Sequence, residues 1–352
     1  MCWRHTCTEP LQLQQKSGPL PASTITSAYD ELGRLSARTV AGTGAETFQY
    51  DAIGRLTGRT NDLDPILPFP SARRLCTLPP MTNQATLAHD NWGWRARIGM
   101  FIVGSEAVPE AEWGAMVPPG VSVHAARVTA KTPWAAWRDG KTEVDLADDL
   151  ARGAKQFAAM RLTAVVLGHT SSSVVGGKGW DEATASSLAA IVGAGALAKG
   201  AKVTTNGLDT MAALRASGVK RPFLVLPPWF PDDTAKAAVR YYTDHGFAPA
   251  GHHRMDPGRK WRDVPPGDLY GLGMGFEQEV EPLYAQIRAA CPPDADGILI
   301  GGTGFRCVAI LETLEQDLKR PVISANQASL WHCLRLSGVQ TPVEGYGNLL
   351  RL

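Results

Sequence analysis

Between residues 97 and 336 the chain keeps alternating short apolar runs with longer segments whose apolar positions recur at helical spacing. The runs predict strands at residues 97–103, 163–168, 201–205, 222–228, 296–301 and 321–324. The intervening segments predict helices at 143–160, 181–199, 207–217, 232–245, 275–290, 307–318 and 326–336. A nearly continuous apolar run bounded by glycine, proline or small polar residues fits a strand buried on both faces. Strands that are separated by helices cannot pair as hairpins, so they demand parallel sheets covered by helices.

The 352 residues allow more than one such unit, at roughly 150 residues per domain. With 35 basic and 34 acidic residues, the formal charge of +1 supplies no global field for nucleic acid or an anionic membrane. A small-molecule partner is therefore expected, with no nucleic acid and no membrane. Six cysteines (Cys2, Cys7, Cys76, Cys291, Cys307 and Cys333) show no repeated C-x-x-C spacing, against a zinc or disulfide framework. Together with the lack of an apolar leader or a long apolar run, they suggest a cytoplasmic protein. A homodimer is compatible with the apolar helices.

The first part of the chain is built differently. "YDELGRLSART" from Tyr29 and "YDAIGRLTGRT" from Tyr50 are near-copies twenty-one residues apart. The pattern Y-D-x-x-G-R-L resembles the YD repeat of Rhs-type shell proteins. Two copies fall short of the roughly three that a stable array needs, which suggests a fragment or fusion scar. A proline-rich stretch, "DPILPFPSARRLCTLPPMTNQ", reads as a linker. Residues 1–63 are assigned to the repeat fragment and 64–94 to the linker.

Two strand-to-helix corners carry the chemistry. "VVLGHTSSSVVGG" ends a strand at Leu167 and continues through His169, Thr170 and Ser171. "ILIGGTGFRCVAILETLE" ends a strand at Ile300 and turns through Gly302, Thr303 and Gly304 before Arg306 and Cys307. Ligands of open parallel sheets collect at the carboxyl ends of strands. Hydroxyls and backbone N–H groups there can hold a carboxylate or a developing oxyanion, although threonine and serine also cap helices routinely. The second corner lacks the spacing of a dinucleotide loop, and no phosphate-binding P-loop occurs. His252 and His253 in "GHHRM" are adjacent and have no third ligand at metal spacing.

At these corners the chain resembles the aspartate/glutamate/hydantoin racemase superfamily, in its arylmalonate decarboxylase and maleate isomerase branch. The similarity runs through residues 97–340 and includes "VTTNGLDTMAALRASGVKR", Asp232 and Asp233 after "PPWF", "PPDADGILIGGTGFR" and "LKRPVISANQASLWHCLRLSG". It implies an α/β fold of two pseudo-symmetric Rossmann-like domains whose parallel sheets face a central cleft, preceded here by a short irregular or β extension. Residues 95–205 with 325–352 would form the first domain and 206–324 the second. The resemblance also implies chemistry without metal or coenzyme on a small dicarboxylic or α-substituted carboxylic acid, by racemisation, isomerisation or decarboxylation through an enediolate-type intermediate.

The family's two cysteine positions fall on His169 and Gly302, so both thiols are missing. A tyrosine that helps hold the enediolate in the decarboxylase falls near Phe230. Thr170, Ser171, Thr303 and Gly304 match the anion-holding positions. His169 is expected to move the proton, since an ordinary imidazole titrates near neutrality, or to support the substrate electrostatically. Cys307, in the first helical turn where a thiol pKa falls, is the second catalytic candidate. Arg306 is a candidate carboxylate clamp. The rival expectations are a catalytically silent carboxylate-binding protein of the same fold and an interaction module tied to the repeat.

Overall fold

The computed structural model describes residues 91–352 throughout and, before them, six strands. These strands are β1 (Arg4–Thr8), β2 (Gln12–Ser17), β3 (Ile25–Tyr29), β4 (Leu35–Val40), β5 (Gly44–Tyr50) and β6 (Leu56–Asn61). They form one antiparallel sheet in chain order. The repeat fixes the register: Tyr29 faces Leu35 and Tyr50 faces Leu56, each pair following a bulge. The expected linker falls largely on residues 62–90, which lie outside the described residues. Met1–Thr86 and Leu87–Leu352 are separate compact units.

The larger unit contains two parallel sheets. The first is formed by β7 (Ala96–Val103), β8 (Val121–Val128), β11 (Ala164–Leu167) and β12 (Lys202–Thr205), and the second by β13 (Pro222–Leu226), β14 (Gly251–Arg254), β15 (Gly297–Ile300) and β16 (Val322–Ser324). Their spatial orders are β12-β11-β7-β8 and β14-β13-β15-β16. Counted along the chain within each sheet, both read 2-1-3-4, which is the expected pseudo-symmetry. Each order reverses between its first and third strands, β7 with β11 and β13 with β15, and opens a crevice beyond their carboxyl ends.

Alternation along β7 and β11 feeds two cores. Ile98, Met100, Ile102, Ala164 and Val166 join a cluster that also includes the second sheet's Leu224, Ile298 and Ile300. Phe101, Val165 and Leu167 point the other way, onto Phe157, Trp180 and Leu188. Side chains of a strand alternate between faces, so a strand covered on both sides must be apolar at nearly every position. That is why these segments read as unbroken apolar runs.

Helices α5 (Asn206–Ala216) and α11 (Ala325–Leu336) follow the last strand of each sheet. Thr205 caps the first by accepting from the Leu208 N–H, and Ser324 with Gln327 makes a capping box on the second. Both end in Leu-Arg-x-Ser-Gly-Val, where the N–H of Val219 or Val339 returns to the carbonyl of Leu214 or Leu334 at 2.9 and 2.8 Å.

Several boundaries differ from expectation. The segment 143–160 opens as strand β10 (Val144–Leu146), paired antiparallel with β9 (Ala135–Trp137), and only Asp148–Ala158 is helical. The segment 275–290 divides into short helices at Met274–Glu277 and Val280–Ala290, with Pro282 in the first turn of the latter, where its missing N–H costs nothing. The helix expected from residue 307 begins with a 3-10 turn at Val308–Ile310 and becomes α-helical at Leu311. His252 and His253 lie on β14, where neighbours point to opposite faces; His253 Nε2 is 3.0 Å from Gln286 Oε1. No cluster of metal-ligand type occurs among the described residues. None of the described helices is long and apolar enough to cross a membrane.

Candidate active site

Both crevices open onto one cavity of about 160 Å³. The first sheet contributes Val103 and Glu106 from the end of β7 and His169, Thr170 and Ser171 from the end of β11. The second contributes Trp229 and Phe230 after β13, Gly302, Thr303 and Gly304 after β15, and Tyr270 from the long connection after β14. Six residues singled out in the sequence are thus brought together. The remaining two are not: Cys307 and Arg306 lie outside this lining.

The corners are stitched to each other. Thr170 Oγ1 donates to Asn206 Oδ1 at 2.6 Å and accepts the Gly302 N–H at 3.1 Å. Thr303 Oγ1 lies 3.1 Å from the Gly168 carbonyl oxygen, and Asn326 Nδ2 donates to the Thr303 carbonyl at 2.9 Å. Asn206 and Asn326 occupy the first turns of the paired helices α5 and α11, so each sheet supplies one asparagine that holds its own corner. Thr170 therefore fixes the site rather than capping helix α3 (Thr170–Gly176), which has no side-chain cap. The N–H groups of Thr170, Ser171, Thr303 and Gly304 have no hydrogen-bond partner among the described residues. They remain available to an anion.

Gly302 has φ +96, and a Cβ there would meet Pro227 Cγ at 2.9 Å. A side chain at this position would be strained by both the backbone and the neighbouring ring. The bare corner is built into the turn.

His169 differs from expectation. Its ring stacks on Trp134 with centroids 4.1 Å apart, and Nδ1 lies 2.8 Å from Ser172 Oγ, which also accepts the Trp134 N–H at 3.0 Å. Burial lowers its pKa to about 3, so the imidazole stays neutral near pH 7. It can offer a hydrogen bond to an acid but does not hold an extra proton there.

Cys307 is also corrected. It is 1 % exposed, and its own N–H donates to Glu112 Oε1 at 2.7 Å. Burial, and then the Glu112 carboxyl, push its thiol well above the ordinary range, opposite to the lowering expected of a helix N-terminus. Arg306 is exposed and lines a separate shallow groove with Val108, Ala111 and Val308. It clamps nothing in the cavity.

Two polar residues were missed in the sequence. Glu106 is 6 % exposed, and burial lifts its carboxyl to about 8 despite the Thr303 hydroxyl, the Val103 backbone and the Arg127 charge. Tyr270 packs edge-on against Trp229 at 4.9 Å and lines the cavity together with Phe230. Burial and the Glu106 carboxyl push that phenol up, so it is a neutral donor.

The arrangement has recognisable relatives. Residues 138–350, more than half of the 352-residue chain, match the family model for arylmalonate decarboxylase, and residues 29–63 match the RHS repeat. Maleate isomerase Iso from Pseudomonas putida is similar at a TM-score of 0.60 and 20% identity, covering 73% of this chain and 98% of that one. A mutant maleate cis-trans isomerase of Nocardia farcinica with a covalently bound succinylcysteine intermediate is similar at 0.58 and 19%, with 73% and 98% covered. Unliganded arylmalonate decarboxylase is similar at 0.52 and 23%, with 72% and 98% covered. No curated protein matches significantly.

Proposed function

Because the chain belongs to the arylmalonate decarboxylase family, we propose that it decarboxylates a small malonic-type diacid, one carrying two carboxylates on a single carbon. The observation that carries this reading is a cavity with an anion cradle on two sides and no cysteine in its lining. The Nocardia farcinica relative carries its intermediate on a cysteine. Addition of a thiol to a double bond has no candidate nucleophile in this lining. Racemisation needs a proton carrier on each face of the carbon, and His169 on one wall is held neutral by burial.

Decarboxylation asks for less. One carboxylate is held by the free N–H groups of Thr170, Ser171, Thr303 and Gly304, with Ser171 and Tyr270 offering hydroxyls. The other is placed against Val103, Trp229 and Phe230, where burial disfavours the anion relative to neutral carbon dioxide. As the C–C bond breaks, its electron pair moves onto the retained carboxylate and forms an enediolate. The N–H groups meet that growing charge in a water-poor site, where donors already in place stabilise it most. The cavity is smaller than the roughly 300 Å³ at which drug-sized pockets begin, which favours a short substituent.

The test is proton NMR of the full chain in D2O with methylmalonate and phenylmalonate, and with maleate, aspartate and glutamate beside them. The expected result is loss of a malonate with appearance of the deuterated monoacid. Conversion of maleate to fumarate, exchange at an amino-acid α-carbon without loss of carbon dioxide, or binding without turnover would each replace this reading.

A further inference from the structure

We propose that Glu106 is the proton donor of this cavity, delivering to the α-carbon the proton that replaces the departing carboxylate. The assignment rests on the decarboxylase reading and deepens it.

Proton accounting at Thr303 supports the role. Its Oγ1 lies 3.1 Å from the Gly168 carbonyl oxygen and 3.3 Å from Glu106 Oε2. A hydroxyl owns one proton, and a carbonyl can only accept. When Thr303 gives its proton to Gly168 over the shorter contact, the contact with Glu106 is closed by a proton on the carboxyl. The same hydroxyl can accept that proton, so the acid is held ready without being neutralised by a fixed cation.

The surroundings fit a protonated carboxyl. From β8, Arg127 spends its guanidinium on the Glu106 backbone carbonyl at 2.6 Å and pairs with Glu110. From the connection after β14, Tyr270 faces Glu106 as a neutral phenol. From the second corner, Thr303 supplies only a hydroxyl. Burial consequently dominates and raises the carboxyl to about 8.

The seat is also shaped for this side chain. A Cβ on Gly304 would come within 2.6 Å of Glu106 Oε1, and Oε1 has no hydrogen-bond partner among the described residues. Glycine at 304 keeps open the contact between that oxygen and the cradle. A general acid must sit within hydrogen-bond reach of the group it protonates, with a pKa near the working pH.

The step balances. Cleavage gives carbon dioxide and the enediolate; the Glu106 O–H bond breaks as the α-carbon C–H bond forms, leaving the monocarboxylate and ionised Glu106. Water from solvent then returns one proton to Glu106, and the net reaction consumes one proton for each diacid.

The experiment measures kcat and kcat/KM for methylmalonate and phenylmalonate across pH 5.5–9.5 in the full-length wild type, Glu106→Gln and Glu106→Asp. Gln retains the volume and can donate to Thr303, so folding is expected to survive and is checked by thermal melting. The expected result is a wild-type alkaline limb near pH 8, a fall in kcat of at least 100-fold in Glu106→Gln with KM within about threefold, and partial activity in Glu106→Asp with a displaced limb. A merely structural Glu106 would leave the limb in place. Wild-type turnover with a Glu106→Gln variant of equal kcat and unchanged limb overturns the assignment alone. A wild-type chain that binds these malonates without cleaving them overturns the decarboxylase reading and the assignment with it.

Discussion

Thr170 Oγ1 accepts the backbone N–H of Gly302 at 3.1 Å, although 132 residues separate them. This contact ties together the two corners that line the cavity from opposite sheets. Replacing Thr170 with Val preserves shape and removes the partner of both the Gly302 N–H and Asn206 Oδ1. Leaving such groups unpaired in a buried site costs about 1–3 kcal/mol. Urea unfolding of Thr170→Val is expected to show a loss in that range and to abolish turnover, whereas Thr170→Ser keeps most of both. Equal stability in Val and wild type would mean that the corners are held by packing instead.

Glu106 and His169 make opposite contributions to the pH dependence of stability. The folded chain holds the Glu106 proton up to about 8, against an ordinary value of 4.5, so stability from this group is complete below 4.5 and is lost as pH rises to 8. His169 refuses a proton until about 3, against an ordinary 6.5, so its contribution is complete above 6.5 and is lost as pH falls. From pH 6.5 to 8 only the first of these two changes, with a slope of at most about 1.4 kcal/mol per pH unit per proton. Denaturation at pH 6.5 and 8 should therefore show a larger loss in wild type than in Glu106→Gln. His169→Gln should flatten the decline on the acid side of pH 6.5. Parallel curves for wild type and Glu106→Gln would place the carboxyl outside that titration window.

How much of this was legible depended on whether a signal was local. The apolar runs ending at Leu167 and Ile300 announced doubly covered strands, and the small polar residues after them announced corners at a sheet's carboxyl end. Thr170 and Thr303 were found by position, though their bonds to Asn206 and Gly168 link distant segments. Glu106 was invisible because an acid before "AVPEAEW" reads as an ordinary helix-start charge; only folding shows it buried over Gly304. Tyr270 reaches the cavity from the connection between Arg254 and Val280, whose helices at Pro266–Leu269 and Met274–Glu277 are too short to show a periodicity. For Cys307 the local signal, a thiol near a helix start, pointed the wrong way because the thiol is buried in the core and Glu112 already takes the free N–H groups of Cys307 and Val308. The edge strand β8, "VSVHAARV", was missed because its partial exposure interrupts the apolar run.

The glycines at 302 and 304 are constrained for different reasons, and variants separate them. Gly302→Cys would introduce a thiol at this corner, but at φ +96 and 2.9 Å from Pro227 it should cost about 1–2 kcal/mol or more and create no maleate isomerase activity. Gly304→Ala retains an allowed backbone but places its methyl 2.6 Å from Glu106 Oε1 and 2.9 Å from Tyr270 Cε2. Because the carboxyl end can swing aside, stability should change little while kcat falls at least tenfold. Maleate turnover by Gly302→Cys, or an unaltered kcat in Gly304→Ala, would show that the turn has more freedom than its geometry implies.

Cys307 is expected to be silent in catalysis and hidden from reagents. Its thiol is packed in the core with Leu311 and Leu314, and its pKa is raised by burial and by Glu112, so little thiolate exists at neutral pH. Thiol titration of native wild type and Cys307→Ala should give the same count, with a difference of one group only in denaturant. The variant should turn over substrate within about twofold of wild type and lose on the order of 1 kcal/mol of stability, the worth of roughly one buried methylene-sized group. A native thiol that reacts rapidly at this position, with loss of activity on substitution, would restore the cysteine chemistry that the buried geometry excludes.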